Sequence, residues 1–202
     1  MRAFVAIALP PNIQRALVSL QQRLARQLRA HQLDDAVRWT AGANIHLTLR
    51  FLGEIDAAQQ EQLAALLPGI AARHPAFDLH VGALGCFPNC RRPSVIWYGL
   101  NGAPAVLGAL QRDVETAARA IGLPAEEKHF TPHLTIGRTQ RNFTSDLAAA
   151  GQIIQQAAAT SPSTGEETGL FPVGEILLMR SELTHAGSVY TPLGVYPLQP
   201  GE

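Results

Sequence analysis

Two short segments carry the side chains best suited to chemistry: NIHLTLRF over 44–51 and FTPHLTIGR over 130–138. Each sets a threonine two residues after a histidine, pairing His46 with Thr48 and His133 with Thr135. Side chains alternate across a β-strand, so in each segment the imidazole and the hydroxyl share a face, about 6–7 Å apart along the strand. Leu47 and Leu49, and likewise Leu134 and Ile136, point the other way, toward a core. One H-x-T-x carries little signal, because both residue types are common in strands. Two at matching places bring a pair of imidazoles and a pair of hydroxyls to one pocket if the segments face each other.

That set suits in-line cleavage of a phosphodiester. Attack needs a base for the incoming water and an acid for the departing oxygen, on opposite sides of phosphorus. Histidine, with an ordinary pKa of about 6.5, fills either role near neutrality. One ring must start neutral and the other protonated, which predicts a bell-shaped pH–rate profile. The threonine hydroxyls can donate to the non-bridging phosphate oxygens, where charge accumulates. A cyclic phosphate is strained and does not require a metal. No third acidic or cysteine ligand stands at diagnostic spacing from the two histidines, so no metal and no cofactor is expected. Cys86 and Cys90 are the only cysteines, spaced C-x3-C in CFPNC, and read as packing residues rather than a zinc site.

The elements that must hold these segments repeat. A strand over 2–9, ended by Pro10-Pro11, leads into a helix over 11–30 with Ile13, Leu17, Leu20, Leu24 and Leu28 on one stripe. A short strand at Val37–Thr40 precedes the strand His46–Leu52, and Asp56 caps a helix over 57–72. FDLHVGALG (77–85) alternates as a strand, and the Pro-, Asn- and Arg-rich loop 86–93 parts the chain. A strand at 94–100, a helix over 103–121 and a strand at 131–138 then follow in the order of the first half. This predicts an internal duplication. A helix over 145–159, a linker-like TSPSTGEETG (160–169) and a closing antiparallel pair complete the chain. The fold expected is α+β: one domain over 1–202, with two pseudo-symmetric lobes of roughly 1–85 and 90–202 around a central cleft. Each lobe is an antiparallel sheet with helices outside, and the closing strands are open to exchange between lobes.

Composition narrows the function classes. The 202 residues are 47% hydrophobic and 16% charged, enough for a core and unlike a disordered chain. Lys+Arg and Asp+Glu both number 16, so the formal net charge is +0. Proteins that coat nucleic acid carry a basic excess, because phosphate neutralisation supplies their affinity. A small phosphate-bearing end held by a local patch remains compatible. No window approaches the roughly 18 apolar residues of a membrane span, and the N-terminus lacks a signal-peptide pattern. A cytoplasmic monomer is expected.

These segments resemble the two-histidine (2H) phosphoesterase superfamily and, within it, the RNA 2′,3′-cyclic phosphodiesterases of the LigT-like or "2′-5′ RNA ligase" family. The likeness runs from RAFVAIALP through RWTAGANIHLTLRFLGEI and FTPHLTIGR to SELTHAGSVYTPL; the long stretch 141–170 departs from it. The resemblance implies opening of RNA 2′,3′-cyclic phosphates to 2′-phosphomonoesters, with weak reverse ligation forming 2′-5′ linkages. By analogy His46 donates the proton to the leaving 3′ oxygen, His133 accepts one from water, and Thr48 and Thr135 hold the phosphate. Arg138 shares the face of Ile136 by strict alternation, yet can swing to the phosphate where the strand ends. Phe87 and Tyr190 are placed to stack on bases or to pack in the core, while Trp39 and Trp97 read as core. Arg91, Arg92 and Arg141 form a candidate basic rim. Small substrates, such as ADP-ribose 1″,2″-cyclic phosphate or 2′-5′ oligoadenylate, keep the chemistry and change the partner. A nucleotide- or RNA-binding module without turnover is the reading from another class.

Overall fold

The computed structural model describes residues 1–140, 147–160, 169–185 and 187–201. Strand β1 (Arg2–Ala8) is buried over its five central residues, covered on both faces. Pro10 and Pro11 halt it, and Pro11 opens α1 (Pro11–Ala30), where a missing N–H leaves no bond unmade. The stripe Ile13, Leu17, Leu20, Leu24 and Leu28 is buried as its spacing predicts. After β2 (Val37–Trp39) and β3 (His46–Glu54), Asp56 and Gln59 form a reciprocal capping box that starts α2 (Ala57–Ala71). Then come β4 (Phe77–Phe87), β5 (Val95–Gly102), α3 (Pro104–Ala120), β6 (His133–Thr139) and α4 (Leu147–Thr160). The chain closes with β7 (Leu170–Val173), β8 (Glu175–Thr184) and β9 (Gly187–Pro197).

The strands form one sheet in the order β7-β4-β5-β6-β3-β1-β8-β9, with β2 also on β6, and every strand pairing is antiparallel. The architecture is α+β. Strand β4, from the first half of the sequence, pairs with β5 and β7, while the closing hairpin β8–β9 pairs with β1. The sequence did not predict β7, whose four residues are too few for a periodicity to register. Among the described residues no helix is long and apolar enough to cross a membrane. The start of the helix expected from 145 and most of the linker-like stretch lie outside the described residues.

Two halves of the sheet repeat one register. In β1–β3 the pairs are Phe4↔Phe51, Val5↔Arg50, Ala6↔Thr48, Ile7↔Leu47 and Ala8↔His46. In β5–β6 they are Val95↔Arg138, Ile96↔Gly137, Trp97↔Thr135, Tyr98↔Leu134 and Gly99↔His133. Both ladders skip a residue at the same place, Leu49 in β3 and Ile136 in β6, a β-bulge three residues past the histidine; β3 skips a second, Leu52, nearer its end. An extra residue on one strand reverses the alternation beyond it. The bulges therefore decide what stands next to the site.

Candidate active site

The two halves meet where β3 and β6 touch, at the single backbone pair Leu47↔Leu134, with both leucines buried. Counting outward from that pair in antiparallel register, His46 lies opposite Thr135 and Thr48 opposite His133. Side chains directly across such a pair stand about 4.5–5.5 Å apart, and diagonal ones about 7–8 Å. The two imidazoles sit on one diagonal and the two hydroxyls on the other, around a local twofold through the leucines. All four line one cavity of about 400 Å³. The size is that of a small-ligand site.

Each imidazole is held the same way. His46 Nδ1 lies 2.8 Å from the carbonyl of Asn44, and His133 Nδ1 lies 2.7 Å from that of Thr131, two residues upstream in both cases. A carbonyl only accepts, so each Nδ1 carries hydrogen and Nε2 is left to take or give a proton. Asn44 is tied in turn, its amide donating to the Ser188 carbonyl at 2.8 Å, which anchors the turn before β3 to β9.

Aromatic rings wall both histidines. Phe4 stacks on His46 with centroids 4.7 Å apart, and Tyr190 meets the same imidazole edge-on at 5.3 Å. Across the cleft, Phe87 meets His133 edge-on at 5.1 Å, and Trp97 lies against both. Trp97, expected in the core, is half-buried and packs against Phe87 and His133 instead. Burial chiefly pulls the His46 pKa below its ordinary value; the Asn44 carbonyl opposes this, and the charge of His133 adds to it.

Arg138 corrects strict alternation. The bulge at Ile136 turns it onto the face of His133 and Thr135, and it lines the cavity with them. The bulged carbonyl is satisfied from outside the ladder: Ile136 O accepts from Thr40 N at 2.9 Å and from the buried Gln21 Nε2 at 2.7 Å. The bulge at Leu49 does the same for Phe51, which joins the cavity lining while Arg50 turns inward. Sequence reasoning missed Phe51, Gln21 and Asn44. Aligning HLTLRF with HLTIGR puts Phe51 and Arg138 at the same place, but only the bulge turns both into the cavity.

The remaining histidines lie elsewhere. His74, in the bend after α2, is buried and paired with Asp113 of α3 at 3.0 Å, and His31 Nδ1 contacts the Gln27 carbonyl at the end of α1. His80 sits on β4, and His129 and His185 are exposed. The Cys86 and Cys90 sulfurs approach to 2.8 Å as free thiols. Arg91 and Arg92 are exposed, and Arg141 lies outside the described residues.

An antiparallel α+β sheet whose two matched strands present H-x-T-x to one cavity defines a two-histidine phosphoesterase. Residues 7–97 match the family model described as LigT like Phosphoesterase. The chain is 28% identical over 198 residues to the RNA 2′,3′-cyclic phosphodiesterase of Methanothermobacter thermautotrophicus, covering 98% of this chain and 99% of the relative. It is 30% identical over 155 residues to the protein of the same name from Aquifex aeolicus, covering 76% and 78%. The crystal structure of Escherichia coli LigT complexed with 3′-AMP superposes with a TM-score of 0.73 at 27% identity, over 98% of this chain and 97% of that one. The chain belongs to the LigT-like phosphoesterase family of 2H enzymes.

Proposed function

We propose that this chain opens 2′,3′-cyclic phosphates on RNA ends to 2′-phosphomonoesters, without a metal ion, using His46 and His133 as acid and base. The observation that carries this reading is the convergence of two imidazoles on one cavity, each with Nδ1 engaged and Nε2 available. His133 takes a proton from the water that attacks phosphorus. The bond from phosphorus to O3′ breaks as His46 protonates that oxygen, and the 2′ ester survives. One proton then passes from His133 to His46 through solvent to reset the pair. The bound phosphate anion favours a protonated imidazole and so opposes the burial that depresses His46.

Thr48 and Thr135 donate to the non-bridging oxygens, and Arg138 supplies a positive charge at the His46 end. Phe87 and Tyr190 act through the rings they pack, fixing the planes of His133 and His46. A 5′-hydroxyl attacking in place of water gives a 2′-5′ linkage with the same proton transfers, the weak ligation. Every group comes from one chain, so a monomer suffices. Relatives named RNA 2′,3′-cyclic phosphodiesterase support the substrate class. Small cyclic-phosphate nucleotides are competing substrates, since a cavity of about 400 Å³ has room for a mononucleotide.

The test is product analysis on an end-labelled oligoribonucleotide bearing a terminal 2′,3′-cyclic phosphate. Wild-type protein is expected to yield the 2′-phosphate. His46→Ala and His133→Ala are each expected to lower turnover by at least about 10² with the fold intact. An undiminished rate in either variant defeats the paired mechanism, and a 3′-phosphate product would reverse which oxygen leaves.

A further inference from the structure

Arg38, beside the site, has no task in the chemistry. Strand β2 is only three residues long and pairs with the end of β6, setting Val37 across from Thr139, Arg38 from Arg138 and Trp39 from Gly137. Val37 and Trp39 turn to the core: a Cβ on Gly137 would meet Val37 at 2.8 Å and the Trp39 ring at 3.2 Å. Arg38 therefore points to the opposite face, as does Thr40 two residues on, and Thr40 lines the catalytic cavity. Arg138, the register partner of Arg38, lines the same cavity.

Side chains directly opposed in an antiparallel pair stand about 4.5–5.5 Å apart at Cβ, and like charges so placed repel. Both arginines are exposed, and among the described residues neither pairs with a carboxylate. Asp34 and Asp35, just ahead of β2, are exposed and leave Arg38 alone. Arg91 and Arg92 add charge at this end, because their loop is fastened to β6: Thr139 Oγ1 donates to the Pro93 carbonyl at 2.8 Å. A chain with a formal net charge of +0 thus gathers guanidiniums at one end of its cavity. An anion set between opposed guanidiniums relieves their repulsion, and phosphate oxygens match the arginine fork.

The position of this end selects which phosphate. In-line displacement puts the attacking water and the leaving O3′ on opposite sides of phosphorus, so the ribose lies on the side of its acid, His46. Strands β2 and β3 share the edge of β6 that faces away from β5, and Arg38 stands past His46 along it, as Arg138 stands past Thr135. We propose that Arg38, with Arg138 beside it, holds the phosphodiester on the 5′ side of the terminal ribose and so selects RNA ends over free nucleoside cyclic phosphates. The assignment rests on the cyclic-phosphodiester reading above.

The test uses two substrates that differ in one charge: deoxyadenylyl-(3′→5′)-adenosine 2′,3′-cyclic phosphate, and its analogue with a neutral methylphosphonate in place of the internal phosphodiester. Wild-type protein is expected to favour the charged linkage about tenfold in kcat/KM, mainly through KM. Arg38→Met is expected to erase most of that preference, and Arg38→Lys to keep part of it. No preference in the wild type, or an equal loss on both substrates in Arg38→Met, overturns the proposal. If wild-type protein turns over neither substrate, the functional reading fails, and calorimetric titration decides the inference alone. In that case Arg38→Met is expected to weaken adenosine 2′,5′-bisphosphate about tenfold more than 2′-AMP. Parallel weakening of the two, or no binding of the bisphosphate by wild-type protein, overturns it.

Discussion

Phe4 lies nearly face to face with His46, the rings 4.7 Å apart and inclined by 23°, so the imidazole of the first H-x-T-x strand is shielded by a core residue. Shielding disfavours the charged ring, and burial is the chief cause of its lowered pKa. The Hε1 resonance of His46 is expected to titrate below 6.5 in the free protein, and closer to 6.5 in His133→Gln, which lacks the neighbouring charge. Linkage gives the sign for stability. Between the lowered folded value and 6.5 the unfolded chain binds more protons, so this contribution is complete above 6.5 and is lost as pH falls through that window. Urea midpoints across the window are expected to show this slope in wild-type protein and to flatten in His46→Gln.

The same depression makes the role of His46 readable from a pH profile. In His133→Ala only His46 remains. As the acid it works protonated, so the residual kcat/KM is expected to fall as pH rises through its pKa. A residual rate that climbs with pH over that range would assign His46 the base role.

Thr48 lies across from His133 and Thr135 across from His46, so each hydroxyl stands beside the other strand's imidazole. Thr48→Val and Thr135→Val keep the shape and remove the donor. Each is expected to cost about 1.5–3 kcal/mol in kcat/KM, a hydrogen bond to a charged oxygen, and less than either histidine. A variant that matched the wild type would remove that threonine from the site.

Among the described residues no three or more His, Cys, Asp or Glu side chains cluster in a way that would hold a metal ion. Turnover of a cyclic-phosphate oligonucleotide is expected to persist undiminished in excess EDTA. Loss in chelator, restored by zinc, would make the enzyme a metallophosphodiesterase.

Much of this site was legible because its strongest signals are local. Period-two alternation alone set His46 with Thr48 and His133 with Thr135, and proline at position 11 and Asp56 fixed two helix starts. What alternation could not reveal were its own interruptions. Arg138 was set with Ile136, and Phe51 drew no notice, because a bulge is written in ladder partners rather than in residue types. Gln21 looked like one more polar residue of α1, yet its amide closes the bulged Ile136 carbonyl from a distant element. Strand exchange was left open by the sequence, and only the ladders assign partners: β4 pairs with β5 and β7, and β8 with β1.

Arg50 provides the last test, because it holds inward the position that the Leu49 bulge exchanges with Phe51. Its guanidinium is 8% exposed, and its partners Glu115 and Glu126 are 20% and 36% exposed at their side chains. Breaking a fully buried pair costs about 3–5 kcal/mol. Glu126 is open enough to be rehydrated, which lowers the penalty toward that of surface pairs. Arg50→Met is therefore expected to lose about 2–3 kcal/mol in urea unfolding at an unchanged m-value, chiefly from Glu115 and the unpaired Phe51 and Pro124 carbonyls. A loss no larger than that of a surface pair would show that Glu115 and the two carbonyls are rehydrated on substitution, and that the bulge at Leu49 is held by the β1 ladder.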